Sequence, residues 1–303
     1  MRRMNHILKL VKFDHRLLPM NLQPIFTDCA LTVDRYETVY GGDINQCYHL
    51  YTTSKEYFLK INDSVRYPCM FEKEAHGLNA LRGAGKLIIP EVIGHGIKNE
   101  HQYLLLEWLD VGNPVTETWP SFGSGMAALH KKTQIQFGWE ENNYIGSLPQ
   151  INTWLDHWGE FYSECRIMPL VAILGNRGLF TENDRRHAES LAVKLDGLFP
   201  PEPPALLHGD LWSGNYMITN RGEPALFDPS VYYGHREMDI GMSRLFGGFN
   251  NRFYESYNEA YPLEPAWEQR LPLTQLYPLL VHAVLFGGSY TGRCREILKA
   301  FAG

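Results

Sequence analysis

The 303-residue sequence contains no block of Lys or Arg, no C-x-x-C pair, no apolar run long enough to cross a bilayer, and no internal repeat or low-complexity tract. Each absence removes a class of protein. Nucleic-acid and anionic-membrane surfaces need clustered positive charge, yet here 28 Lys plus Arg stand against 34 Asp plus Glu, a net charge of −6. Neither partner is expected. The cysteines number five, at positions 29, 47, 69, 165 and 294, an odd count that argues against a disulfide framework or a cysteine zinc site and suits a reducing, cytoplasmic location. The opening Met1-Arg2-Arg3-Met4-Asn5-His6-Ile7-Leu8-Lys9-Leu10 mixes charged and apolar residues, so no signal peptide is expected. The most apolar stretch, Tyr277 to Phe286, holds Pro278 and His282 and is far short of the roughly 20 residues that span a bilayer.

What is present is a globular composition, 44% hydrophobic and 20% charged, with length for two lobes of about 150 residues, each with its own core. The first third reads as strands. Arg35 to Tyr40, Cys47 to Tyr51 and Glu56 to Ile61 are short runs rich in aromatic and β-branched residues, the first two separated by Gly41-Gly42-Asp43-Ile44-Asn45-Gln46. Met70, Phe71, Ala75, Leu78 and Leu81 recur at helical spacing from Met70 to Arg82, with Gly83 and Gly85 ending the pattern and Glu74 on its apolar face. Further strands are expected near Leu87 to Gly94 and Tyr103 to Trp108, and Gly112-Asn113-Pro114 then breaks the pattern. Beyond it helices are expected at Ser121 to Lys132, Asn152 to Ile167, Glu182 to Leu198 and in the last forty residues. Between Pro200 and Met238 lie short apolar runs, Ala205 to His208, Tyr216 to Thr219 and Ala225 to Phe227, which read as strands carrying loops with a task.

Those loops hold the chemistry. Asp210 and Asn215, in His208-Gly209-Asp210-Leu211-Trp212-Ser213-Gly214-Asn215, stand five apart, the offset of a protein-kinase catalytic loop. Asp228 follows thirteen residues after Asn215, at the end of an apolar run, where a metal-binding Asp belongs, because a hard divalent ion on ATP prefers carboxylate and amide oxygens. Taken singly, each has a bland reading as a polar turn or a cap. Together, with strands between them, they favour chemistry. Lys60 sits in the third strand and Glu74 lies fourteen positions on, a spacing that fits the pair with which kinases hold the α- and β-phosphates. A snorkelling Lys60 and a solvent-facing Glu74 are the alternatives, and Glu72, off the apolar stripe, is a second possible partner. Asp239 reads as a structural acceptor at a helix start that buttresses the catalytic loop.

Across almost its whole length the chain resembles the fructosamine kinase (ketosamine-3-kinase) family, within the aminoglycoside phosphotransferase and choline kinase group of protein-kinase-like folds. The likeness rests on Leu207 to Asn215, Phe227-Asp228-Pro229-Ser230, Tyr233-Gly234-His235-Arg236-Glu237, Leu245-Phe246-Gly247-Gly248-Phe249, Asn143-Tyr144-Ile145-Gly146 and Asn152-Thr153-Trp154. It implies an α+β, two-lobed fold: residues 1–108 as an N-lobe with a five-stranded antiparallel sheet that binds nucleotide phosphates, and 109–303 as a mainly helical C-lobe with the catalytic loop, metal and sugar sites. It implies Asp210 as catalytic base, Asn215 and Asp228 as Mg²⁺ ligands, and Lys60 with Glu74 as the phosphate-holding pair. The Gly41-Gly42 turn with Asn45 would cover the ATP phosphates, and Glu107-Trp108-Leu109 would be the adenine hinge. Trp212 is either a sugar-stacking platform or a core-filling indole. Asp43 stands where many eukaryotic members carry a cysteine, so a redox role would have to fall to Cys47, whose plainer reading is an inert strand residue. The implied reaction is Mg-ATP-dependent phosphorylation of a ketosamine hydroxyl, expected at O3, on a small-molecule or protein-bound substrate. An aminoglycoside- or choline-type kinase and a nucleotide-binding pseudokinase are the alternatives.

Overall fold

The computed structural model describes residues 21–40, 44–84 and 86–302. Helix α1 (Gln23–Asp28) precedes strands β1 (Arg35–Val39), β2 (Gln46–Tyr51) and β3 (Glu56–Asp63), helix α2 (Met70–Ala84), and strands β4 (Val92–Lys98) and β5 (His101–Glu107). The five strands form one antiparallel sheet in the order β1-β2-β3-β5-β4. Side chains alternate across it with the period of two that a pleated strand imposes. Leu59 and Ile61 of β3 and Tyr103 and Leu105 of β5 pack under Ile25 and Phe26 of α1. Phe58, Leu104 and Leu106 face the other way, against Met70, Phe71, Ala75, Leu78 and Leu81 of α2. Lys60 therefore points to the α2 side. The fourth strand begins at Val92, later than the expected Leu87, because Pro90 has no N–H to give a ladder; Ile88 instead bridges to Ala225.

The following segment is mainly helical. It comprises α3 (Thr118–His130), a hairpin of β6 (Asn143–Ile145) and β7 (Leu148–Gln150), α4 (Trp158–Tyr162), a π-helical turn (Ser163–Ile167) running into α5 (Met168–Asn176), and α6 (Glu182–Leu198). Short strands β8 (Ala205–Leu207), β9 (Tyr216–Ile218), β10 (Pro224–Leu226) and β11 (Tyr232–Gly234) follow, then α7 (Glu237–Leu245), α8 (Asn251–Ala260), α9 (Trp267–Phe286) and α10 (Ser289–Ala302). β9 pairs with β10 and β8 with β11. The helix expected from Asn152 starts only at Trp158. Asn152 has its backbone N–H on the Asn142 side chain at 2.8 Å, and Leu155 exchanges two backbone hydrogen bonds with Phe137 at 2.9 Å, so neither is free for a helical ladder.

In α9, Pro278 cannot donate to the turn before it, and the neighbouring bond is opened too: the Tyr162 hydroxyl donates to Leu273 O at 2.6 Å and accepts from Tyr277 N–H at 3.2 Å. Among the described residues no helix is long and apolar enough to cross a membrane. An apolar cluster joins α2 and β5 to α3, α8 and β10, through Leu78, Leu106, Phe122, Met126, Leu226 and Phe253.

The approach of α3 to α8 depends on Gly123, where a Cβ would lie 2.1 Å from the Phe253 carbonyl oxygen. Backbone cannot yield as a flexible side chain does. Gly123→Ala is expected to destabilise the fold by about 1–3 kcal/mol, seen as a lower denaturation midpoint at unchanged m; an unchanged midpoint would contradict this packing.

Candidate active site

Strand β8 delivers the chain to His208-Gly209-Asp210, and a buried carboxylate fixes the turn. Asp239, 1% exposed near the start of α7, accepts the backbone N–H of His208 at 2.8 Å and of Gly209 at 2.9 Å. His130 lies against the same carboxylate at 3.2 Å, donating from Nε2 while Nδ1 accepts from the Tyr257 hydroxyl at 2.7 Å. Asp239 is thus the buttress that the sequence leads one to expect. Gly209 has φ +82° and sits so close to the next segment that a Cβ would fall 2.0 Å from Ser230 O, so only glycine fits. His208 is fully buried, which pulls its pKa down, and its Nε2 donates to Phe227 O at 3.0 Å.

Asp210 and Asn215 meet as their spacing predicts. Asn215 Nδ2 donates to Asp210 Oδ2 at 2.8 Å and to the Asp210 backbone carbonyl at 2.9 Å. Burial pushes the Asp210 carboxyl up to about 7, against the opposing pull of the Asn215 amide. Phe227 N–H donates to Asn215 O at 3.1 Å, which sets Asp228 beside the same loop. Asp228 has φ +53°, and its side chain is 46% exposed.

Lys60 Nζ, with 3% of its side chain exposed, lies 2.8 Å and 3.0 Å from the two Glu74 oxygens and 2.8 Å from Asp228 Oδ1. Burial opposes its charge, but the Asp228 and Glu74 carboxylates outweigh burial and hold the ammonium protonated. Burial pushes the Glu74 carboxyl up while Lys60 draws it back. Glu74, not Glu72, is the partner, as the apolar stripe of α2 requires.

The remaining expected residues divide. Gly41, Gly42 and Asp43 lie outside the described residues. Asn45 is anchored, its Oδ1 accepting from Asn62 Nδ2 at 2.9 Å. At the hinge, the Glu107 N–H donates to Glu91 O at 2.9 Å and the Trp108 N–H to Glu56 O at 3.3 Å, leaving Leu109 as the one of the three whose N–H has no partner among the described residues. The Trp108 indole stacks on His49, with centroids 3.4 Å apart and planes 6° apart. Trp212 is half-buried and meets Phe246 edge-on at 5.8 Å. Cys47 is buried, and desolvation pushes its thiol up to about 11, so the inert reading of this cysteine holds. Ser230, Gln150 and Arg166 had no place in the sequence-based site, yet they adjoin it; the available signal was the set of amides, Asn143 and Gln150 in the short hairpin and Asn152 just after it.

Over residues 24–302 the chain matches the profile of the fructosamine kinase family. It belongs to that family. A Synechocystis protein provisionally designated a ketoamine kinase is 40% identical over 269 residues, covering 88% of this chain and 90% of its own length. The chloroplastic protein-ribulosamine 3-kinase of Arabidopsis thaliana is 35% identical over 281 residues, covering 90% and 84%. A crystal structure from Thermobifida fusca with a provisional fructosamine-3-kinase designation superposes with TM-score 0.84 at 34% identity, covering 92% and 97%. A thermostable mutant of aminoglycoside phosphotransferase APH(4)-Ia, in a ternary complex with ADP and hygromycin B, shares the fold at TM-score 0.60 and 18% identity, covering 93% and 98%. Like its family, the protein is an ATP-dependent phosphotransferase of two-lobed, protein-kinase-like fold.

The cysteine environments make a direct prediction. A thiol with a pKa of about 11 is ionised to roughly one part in a thousand at pH 8, so iodoacetamide should label exposed Cys69 in the native fructosamine kinase family member and reach Cys47 only after denaturation. Peptide mapping checks this, and rapid native alkylation of Cys47 would contradict it.

Proposed function

We propose that the protein transfers the γ-phosphoryl group of Mg-ATP to O3 of a ketosamine such as ribulosamine or fructosamine on lysine, free or in a protein, and so initiates deglycation. The carrying observation is the convergence of Lys60, Glu74 and Asp228 within 3.0 Å beside the Asp210–Asn215 pair. The names of the relatives supply the substrate class.

The donor set fits Mg²⁺. Asp228 Oδ2 and Asn215 Oδ1 are hard oxygens without a partner among the described residues. Mg²⁺ in phosphoryl-transfer sites takes one or two such groups plus substrate phosphates rather than a full protein cage. Consistent with that, the described residues hold no cluster of three or more His, Cys, Asp or Glu placed to cage a metal. The ion, when bound, would neutralise charge on the transferring phosphates. The chain's own residues do the positioning. Asp210, steadied by Asn215, orients the acceptor hydroxyl and takes its proton, while Lys60, held by Glu74, grips the α- and β-phosphates. Gly41, Gly42 and Asn45 would cover the phosphates, with adenine against Glu107-Trp108-Leu109, where the Leu109 N–H is the free donor. Trp212, half-buried against Phe246 and beside the base, would serve as the platform for the sugar. Residues 1–108 would thus serve the nucleotide and 109–303 the sugar, catalytic loop and metal. Five unbonded cysteines suit a reducing, cytoplasmic setting. An intact base, lysine and metal-ligand set counts against a pseudokinase, and family membership counts against an aminoglycoside or choline substrate.

Phosphate at O3 explains how a kinase can undo glycation. With the carbonyl at C2, enolisation through C1 and C2 expels phosphate from C3. Water then hydrolyses the resulting imine, freeing the lysine amine and leaving a dicarbonyl sugar.

Asp210→Asn should lower turnover by about 10²–10⁴-fold with nucleotide affinity nearly unchanged; equal loss of both would make Asp210 structural. Asp228→Ala should weaken Mg-ATP binding by calorimetry more than it weakens ketosamine binding. With ribulose-lysine and Mg-ATP, phosphorus–proton NMR should place phosphate on O3, followed by free lysine over hours. A stable product phosphorylated elsewhere would leave the kinase reading intact and remove deglycation.

A further inference from the structure

The β6–β7 hairpin holds the segment that follows Asp228, and it does so largely through buried amides. Gln150, 1% exposed, engages both amide hydrogens and its carbonyl oxygen: Nε2 donates to Ser230 O at 3.0 Å and to Asn143 Oδ1 at 2.9 Å, and Oε1 accepts from the Tyr277 hydroxyl at 2.7 Å. Asn143 Nδ2 donates to Val231 O at 2.8 Å, and Ser230 Oγ donates to Tyr144 O at 2.8 Å. The segment just after Asp228 is therefore held at consecutive carbonyls by one hairpin. Ser230 N–H in turn donates to His208 O at 2.9 Å, and its carbonyl oxygen lies against Gly209, so the same residue sets the metal-side loop against the base-side loop.

The residues leading into the hairpin reach α2, the helix that carries Glu74, and Tyr144 reaches the turn just before it. Tyr144 hydroxyl donates to Pro68 O at 3.0 Å, His76 lies 2.7 Å from Glu141, and Lys73 donates to Asn142 O. Behind it, Asn152 Nδ2 donates to Asn143 Oδ1 at 2.9 Å, and Asn152 Oδ1 accepts from Arg166 Nη2 at 2.8 Å. Arg166 is 0% exposed, in the π-helical turn, with its guanidinium 4.1 Å from the Tyr232 ring centroid and 5.2 Å from that of Tyr277. A buried cation bonded to carbonyls, an amide and ring faces has few other arrangements available, which makes it a rigid anchor for the hairpin.

We infer that Gln150 is a positioning residue for phosphoryl transfer, acting through Ser230 to set the Asp228 carboxylate. This rests on the reading of Asp228 as an Mg-ATP ligand. Outer partners of metal-binding groups commonly contribute about 10–100-fold to metal affinity or activity, although they touch neither metal nor substrate.

The test is Gln150→Met, similar in length but unable to make any of the three bonds, with Ser230→Ala as a milder variant that keeps the Ser230 backbone bonds. Calorimetry should show Mg-ATP binding weakened about 10–100-fold in Gln150→Met and less in Ser230→Ala, with metal-free ATP binding unchanged in both. Ketosamine KM should stay near the parental value as kcat falls. Folded content is read by circular dichroism; should Gln150→Met fail to fold, Gln150→Glu, which keeps the acceptor for the Tyr277 hydroxyl and loses the amide donors to Ser230 and Asn143, decides. A lower Tm with parental Mg-ATP affinity and parental kcat per folded molecule would overturn the inference and leave these amides a purely structural role. If the parent itself bound ATP equally with and without Mg²⁺, the reading of Asp228 would fall instead.

Discussion

An ammonium group that is almost entirely out of water must be neutralised where it stands, and Lys60 is the group on which this architecture turns. Its two counter-charges come from different parts of the chain, Glu74 on α2 and Asp228 after β10. Removing either one would strip a charge-assisted bond from the ammonium, and removing both would leave a buried charge uncompensated, a far larger penalty than the loss of a surface pair. The pair also dictates geometry. Strand β3 must present Lys60 to the α2 side, α2 must turn Glu74 onto its apolar stripe, and the loop after β10 must reach back across the cleft. The apolar cluster from Leu78 to Phe253 binds the two segments with non-directional contacts, and the ion pairs give that contact one register.

The legible parts of the sequence were those in which function or capping is carried by neighbours along the chain. Helix Glu182–Leu198 has the bounds expected of it, since Thr181 and Asp184 form a reciprocal cap at its start. The Lys60–Glu74 and Asp210–Asn215 pairs follow from spacing along the chain in the same way, whereas the antiparallel five-stranded sheet was implied by the family resemblance. The illegible parts were set by partners far away. Asn152 to His157 falls inside an expected helix, but bonds to the Asn142 side chain and the Phe137 backbone pre-empt the ladder. No periodicity marks Arg166 as buried, since its solvation is replaced by the Ile151 and Cys165 carbonyls, Asn152 and three aromatic rings. The role of Gln150 depends on Ser230, eighty residues away.

The catalytic loop also illustrates how much of a site lies outside the groups that do chemistry. Asp239 contacts no reacting atom, yet it accepts both backbone N–H groups that would otherwise be stranded beneath the loop, and His130 with Tyr257 extends the support to α3 and α8. Buried carboxylates of this kind trade desolvation for a fixed backbone, and the exchange is favourable when both oxygens find donors, as they do here.

The left-handed backbone at Asp228 carries a consequence for sequence variation. At φ +53° the side chains that sit with little strain are those of glycine, asparagine and aspartate. Glycine would remove the carboxylate altogether, and asparagine would remove the negative charge that faces Lys60. Glutamate would keep the charge but lengthen the reach and take on the conformational cost. Conformation and chemistry therefore intersect on a single amino acid, and the position has no neutral substitute even though nearly half of its side chain is open to solvent.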